Sequence, residues 1–175
     1  MAENDKLVNE LNIEINFGIE LQEIGFDPNP YIQRMRALSS ELVQAYFSTC
    51  YCFNIGGKRL TLRAGTTSDG LEQYLAQNNY DCWTFISASN PYSEMLSDQQ
   101  NLSRHQLLVH MLKELDYVYF EGEGISNTGS WREPCLFVPG LRSIVGESLG
   151  VLFEQNAILY GELGHTPLIL FCSKS

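Results

Sequence analysis

The sequence predicts an α+β fold: a single mixed, mostly antiparallel sheet packed by three to four helices. Three observations carry that expectation. Short apolar runs such as Cys82 to Ala88 and Leu168 to Cys172 have the length and residue types of buried strands. Gly56-Gly57 stands between two strand-like runs, which is the signature of a two-residue hairpin turn. Longer stretches around Ile32 to Val43, Ser97 to Leu115 and Leu141 to Glu154 repeat their apolar residues at helical spacing. A chain of 175 residues, 44% hydrophobic and 18% charged, is long enough to bury a substantial core in one domain with or without an extension.

In the first segment Leu11, Ile13, Ile15, Phe17, Ile19 and Leu21 alternate with more polar residues. Period two predicts a strand within an N-terminal extension, residues 1–28, that either completes this protein's own sheet or pairs with a partner's. Gly25 to Pro30 holds Asp27-Pro28-Asn29-Pro30, a stiff connector, and the main α+β domain is expected from residue 29 to 175. Ile32, Met35, Leu38, Leu42 and Val43 then predict a helix with Pro30 near its start. The hairpin follows, from Tyr46 to Ile55 and from Lys58 to Ala64, and a short helix is expected from about Asp69 to Gln77. On the second hairpin strand Arg59 and Arg63 share a face with Thr61, a pattern suited to a solvated surface.

The central stretch runs from Asp81 to Ser93. Its apolar half suits a buried strand, and Asn90-Pro91 ends it in a polar turn. Ser97 with Gln100 three residues on has the form of a capping box, so a strand, a loop and a helix N-terminus follow in series, a place where functional polar groups gather. The helix carries Leu108, Met111, Leu112 and Leu115 as its apolar stripe, and extending the stripe backwards puts Asn101 and Arg104 on the core side. A buried arginine needs a partner: an ion pair, a set of backbone carbonyls, or a ligand.

Tyr117 to Phe120 and Trp131 to Val138 predict two more strands joined by a glycine-rich loop, Glu121 to Ser130. That loop is no phosphate cradle, since it lacks lysine and carries Glu121 and Glu123. On the following strand Trp131, Glu133, Cys135 and Phe137 share a face. A carboxylate between an indole and apolar neighbours is driven toward a raised pKa unless a cation compensates it, which makes Glu133 a candidate general acid/base or a partner for Arg104. The last helix turns Leu141, Val145, Leu149 and Leu152 inward, with Gly146 and Gly150 allowing close packing, before strands Ala157 to Tyr160 and Leu168 to Cys172.

A net charge of −10, from 21 acidic and 11 basic side chains, repels phosphate backbones and disfavours nucleic-acid partners. Five cysteines, all in apolar runs and without zinc-type spacing, are expected as reduced core thiols. His105, His110 and His165 are scattered, so neither a metal site nor a cofactor is implied. Without a basic, apolar leader or a membrane-length apolar run, the expected location is the cytoplasm, away from membranes.

With these elements in order the chain resembles a small bacterial family known as a domain of unknown function, family three-two-nine-three. The resemblance rests on Asn90-Pro91, on Asn101 and Arg104, on Gly129-Ser130-Trp131-Arg132-Glu133 and on Gln155-Asn156-Ala157, and it covers roughly residues 42–161. His105 departs from it, standing where the family's helix is expected to carry Asn. The family brings no established activity. It implies a grouping: Asn90, Asn101, Trp131, Gln155 and Asn156 as ligand-binding residues around the catalytic candidates Glu133 and Arg104. Such an inventory suits a small planar, hydrogen-bonding ligand of nucleotide type, bound or hydrolysed, with Trp131 as the stacking plane and Arg104 stabilising negative charge. The competing reading is an acidic protein-interaction module without catalysis, working through the N-terminal segment.

Overall fold

The computed structural model describes residues 2–174. Its strands are β1 (Cys50–Ile55), β2 (Lys58–Leu62), β3 (Cys82–Ile86), β4 (Phe120–Ile125), β5 (Arg132–Pro139), β6 (Ala157–Glu162) and β7 (Leu168–Phe171). Its helices are α1 (Ala2–Glu23), α2 (Pro28–Arg36), α3 (Ser40–Ser48), α4 (Asp69–Gln77), α5 (Asp98–Glu114) and α6 (Ser143–Leu152). All strand pairs are antiparallel, in the order β2-β1-β4-β5-β3-β6-β7, so the predicted α+β class is the observed one.

One face of the sheet carries an aromatic core, because register puts Phe85 opposite Phe137, Phe137 opposite Phe120, and Phe53 opposite Gly122. Phe53 and Phe85 lie three strand steps apart, roughly 14 Å in a flat sheet. Their ring centroids are nevertheless 5.9 Å apart, which requires the sheet to curl around this face. Gly122 makes the curl possible: a Cβ there would stand 2.7 Å from Phe85 Cζ and 3.1 Å from Phe53 Cβ. The two edges meet at one end, where the Gly65 N–H donates to the Pro167 carbonyl at 2.8 Å.

Helix α1 covers the remaining gap. Phe17 meets Phe171 of β7 edge-to-face at 5.7 Å, and the Glu20 carboxylate reaches Gly65 just beyond β2. The strand expected in this segment is therefore corrected to a helix. Its alternation is the sum of two helical stripes: Ile13, Phe17, Leu21 and Ile24 face the core, whereas Val8, Leu11, Ile15 and Ile19 are exposed. The helix expected across Ile32 to Val43 is likewise two, since Ser39 caps a new one by accepting from the Leu42 N–H. Tyr46 to Ser48 belong to that second helix, so the hairpin begins only at Cys50.

On the other face α6 packs closely against β3 and β6. A Cβ on Gly146 would stand 2.9 Å from Thr84 Oγ1, and one on Gly150 would meet Cys172 and Ile158, so both glycines serve the close approach expected of them. Helix α5 starts with the predicted capping box of Ser97 and Gln100 and buries Leu108 and Leu112. Leu115 and Leu152, expected inward, lie exposed at the ends of their helices. Glu121 to Ile125, expected in a loop, form most of β4, whose glycines leave room for side chains from neighbouring strands. No helix among the described residues is long and apolar enough to cross a membrane.

Candidate functional site

The chain leaves β3 through Ser87 to Asn90 and turns sharply. Asn90, Tyr92 and Ser93 all adopt left-handed backbone angles, with φ of 47°, 50° and 65°. Asparagine tolerates that region; for tyrosine it is costly, and strain of this kind collects at functional sites. The turn is pinned from several sides. Asn101 Oδ1 accepts from the Asn90 N–H at 2.9 Å, and Asn101 Nδ2 donates to Asn90 Oδ1 at 2.9 Å. The Leu96 N–H donates to the same Asn90 oxygen, and the Tyr92 N–H donates to the Glu154 carbonyl.

Asn90 Oδ1 is thus fully occupied, which turns its Nδ2 toward Glu133 Oε2 at 3.4 Å. Glu133 is largely buried, and among the described residues no cation lies within ion-pair distance of it. Burial pushes its carboxyl up to about 7, the Asn90 amide offsetting only part of the effect. The neighbouring Tyr46, Tyr51 and Cys135 are also driven upward by burial.

A cavity of about 230 Å³ opens beside this carboxylate. Helix α3 contributes Leu42, Ala45 and Tyr46, with Thr49 just after it, and the turn contributes Asn90, Ser93 and Met95. Trp131 just before β5 and Arg132 and Glu133 at its start line the next side, and Gln155 closes the remaining one. The Trp131 ring rests over Gly124, where a Cβ would come within 3.6 Å of the indole and 3.7 Å of Glu133 Cγ, and it stays 39% exposed.

Glu133, Asn90, Trp131 and Gln155 therefore converge on one cavity. The other three expected site residues stand behind it. Asn101 holds Asn90, and Asn156 Nδ2 donates to Ser93 Oγ at 3.0 Å. Arg104 does not pair with Glu133, as the sequence had suggested it could. Its Nε donates to the Ala88 carbonyl at 2.6 Å, and its two terminal nitrogens donate to the Phe153 carbonyl and Glu154 Oε2. The reason is geometric: carbonyls just beyond the ends of β3 and α6 lie within hydrogen-bond reach of the Arg104 guanidinium on α5. His105 turns to Glu121, its Nε2 lying 2.9 Å from the carboxylate.

Sequence reasoning missed the α3 wall of the cavity, Leu42, Ala45, Tyr46 and Thr49, because those residues were divided between a longer helix and a strand. Ser39, a good N-cap residue, was the available signal. Among the described residues no cluster of His, Cys, Asp and Glu is arranged to hold a metal ion. The five cysteines are unpaired, four of them buried.

Fold and cavity together define an α+β protein whose curled sheet presents a buried carboxylate in a partly apolar pocket. Residues 86–158 match the family model described as "Protein of unknown function (DUF3293)". That is the family expected from the sequence, over a shorter span than residues 42–161. All seven expected site residues fall inside the match, while the α3 wall lies outside it. No curated protein and no solved structure matches the chain.

Proposed function

We propose that this cavity binds a small planar, hydrogen-bonding ligand of about nucleobase size, with Glu133 exchanging a proton with it. The observation that carries the reading is a buried carboxyl, titrating near neutrality, that borders the same space as a half-exposed indole. At about 230 Å³ the cavity falls below the roughly 300–1,000 Å³ usual for drug-sized ligands, which favours a base or small metabolite over a whole nucleotide. Glu133 is placed to act as a general base toward water if the bound ligand carries a hydrolysable bond. Cys135, the nearest thiol on the same strand face, is held protonated by burial, which disfavours covalent catalysis. Arg104 enters as a positioning residue that ties the turn to the end of α6.

Thermal-shift measurements with nucleobases and small heterocycles test the reading on wild type and on Ala45→Phe, whose ring would fill the cavity. A ligand at a hundred times its Kd stabilises by about 2.7 kcal/mol. For a chain of this size that raises Tm by roughly 5–10 °C. The shift should vanish in Ala45→Phe; silence from every compound, or a shift that survives the plug, overturns the proposal.

A second reading, association through α1, is favoured by one observation. Val8, Leu11, Ile15 and Ile19 form an exposed stripe bordered by the uncharged Asn12, Asn16 and Gln22, with Glu23 at its C-terminal end, on a chain of net charge −10. A face with so little charge is what a second copy of so acidic a chain could approach with least repulsion. Ile15→Lys should then abolish a dimer seen by light scattering and leave the unfolding free energy of the monomer within about 0.5 kcal/mol of wild type; a monomeric wild type removes this reading. Truncation of α1 is a poor test, because Phe17 and Leu21 are core residues.

A further inference from the structure

The cavity keeps strong acceptors beside the donors that Asn90 Nδ2, the Trp131 indole N–H and the Tyr46 and Ser93 hydroxyls can offer. Gln155 Nε2 donates to the carbonyls of Ser89 and Phe153, at 2.9 and 3.0 Å. Both amide hydrogens are spent on oxygens that only accept, so the amide orientation is settled and only Oε1 remains for the cavity. Asn90 is fixed in the same way. Its Oδ1 takes two N–H groups, and its Nδ2 makes one long bond to Glu133 and keeps its second hydrogen. Thr49 gives its hydroxyl hydrogen to the Ala45 carbonyl at 2.7 Å, so toward the cavity it too can only accept. A carboxylate accepts at about four lone-pair positions, and Glu133 has one of them filled, at 3.4 Å.

The charges around the cavity point the same way. Its one basic side chain, Arg132, sits at the rim, 63% exposed and 3.3 Å from the Glu123 carboxylate. The groups that face Glu133 from the packed elements, Tyr46 on α3, Tyr51 on β1 and Cys135 on β5, are neutral at physiological pH, and burial moves each further from ionising. Beside the carboxylate lies the indole of Trp131, whose face attracts planar cations.

From this geometry we propose that the ligand presents a planar cationic N–H edge of the amidinium type to Glu133, stacked against Trp131, and that ligands bringing phosphate or carboxylate to this position are excluded. The inference rests on the small-ligand reading above and narrows it: a carboxylate without a cation, in one cavity with the Gln155 amide oxygen and an indole face, selects a planar cationic donor. A fork of two parallel N–H groups would meet both carboxylate oxygens at once. Arg132, the basic side chain of the cavity, is already engaged by Glu123, so a phosphate placed at Glu133 would meet an uncompensated carboxylate.

The test is isothermal titration of the full chain with benzamidinium, with benzoate and benzamide as controls of the same shape and different charge. Benzamidinium is expected to bind, about tenfold more tightly at pH 8 than at pH 6 as Glu133 ionises. Glu133→Gln should lower its affinity at least tenfold at pH 8 and abolish the pH dependence; the amide is close in shape and removes a buried charge, so the variant should fold. Trp131→Ala should weaken binding severalfold at both pH values. If benzoate or benzamide binds at least as well as benzamidinium, or if Glu133→Gln leaves benzamidinium affinity unchanged, the cationic class is overturned while the small-ligand cleft stands. If none of the three binds, the cationic class falls, and the small-ligand reading is decided separately by the thermal-shift screen.

Discussion

Replacing Glu133 with Gln should make the protein more stable at alkaline pH and change its stability little at acid pH. In the folded chain the carboxyl titrates near 7 against an ordinary value of 4.5. Below about pH 4.5 it is protonated whether folded or unfolded, and the two states do not differ. Between 4.5 and 7 the unfolded chain releases a proton that the folded chain keeps, so wild-type stability falls as pH rises. Above 7 both states are ionised and the full cost of a buried, unpaired carboxylate is present. At 1.36 kcal/mol per unit, a gap of this size comes to about 3 kcal/mol as an upper bound, since water in the cavity relieves part of it. For a chain of 175 residues that is at most roughly 6–12 °C in Tm. Urea unfolding of wild type and Glu133→Gln from pH 4 to 8.5 isolates the effect, because titrations of the other groups cancel in the difference. The difference should be flat below pH 4.5, grow in favour of Gln through pH 7 and level off above. Parallel stability curves, or a difference that grows toward acid, would refute the reasoning.

Other substitutions probe the frame that holds this carboxyl. Gly161→Ala would set a Cβ 2.6 Å from the Trp83 Nε1 of the core indole, and should cost about 1–3 kcal/mol in urea unfolding. Arg104→Ala leaves the Ala88 and Phe153 carbonyls without their charged donor and should cost about 2–4 kcal/mol, with Arg104→Lys recovering only part because a single ammonium cannot span both. If Arg104 instead contacts ligand directly, Lys would restore stability without restoring binding, which thermal shift can tell apart. At Asn90, Gly keeps the left-handed backbone while losing the side-chain bonds, whereas Ala loses both; Asn90→Ala should therefore be the less stable of the two by about 1 kcal/mol.

Much of the fold was legible where local chemistry and tertiary demand agree. The hairpin at Gly56-Gly57, the capping box at Ser97 and the buried strand at Cys82 each carry their own signal, and each formed. The N-terminal helix was not legible because it is apolar on two faces. Stripes at Ile13, Phe17 and Leu21 and at Leu11, Ile15 and Ile19 interleave into an alternation that imitates a strand, and only the core contact at Phe17 tells them apart. The glycines of β4 misled for a related reason: Gly122 and Gly124 looked like loop residues, yet each leaves space for a neighbouring aromatic ring. For the site, period two put Trp131 and Glu133 on one face, and it left the Glu133 carboxyl either raised by burial or compensated by a cation such as Arg104. The partner of Arg104 was out of reach, because carbonyls at the ends of elements leave no mark in a sequence. The α3 wall was lost with the boundary of that helix, and boundaries are where periodicity says least.

The unpaired state of Glu133 is open to direct measurement. Carbon-detected NMR of the carboxyl carbon of Glu133, assigned by its loss in Glu133→Gln, can be followed from pH 4 to 9 in the absence of ligand. A midpoint near 7 is expected of a carboxyl that has surrendered its water and found no cation. A midpoint at or below the ordinary 4.5 would mean that the group is solvated or ion-paired, and would contradict both the cavity chemistry and the ligand class drawn from it.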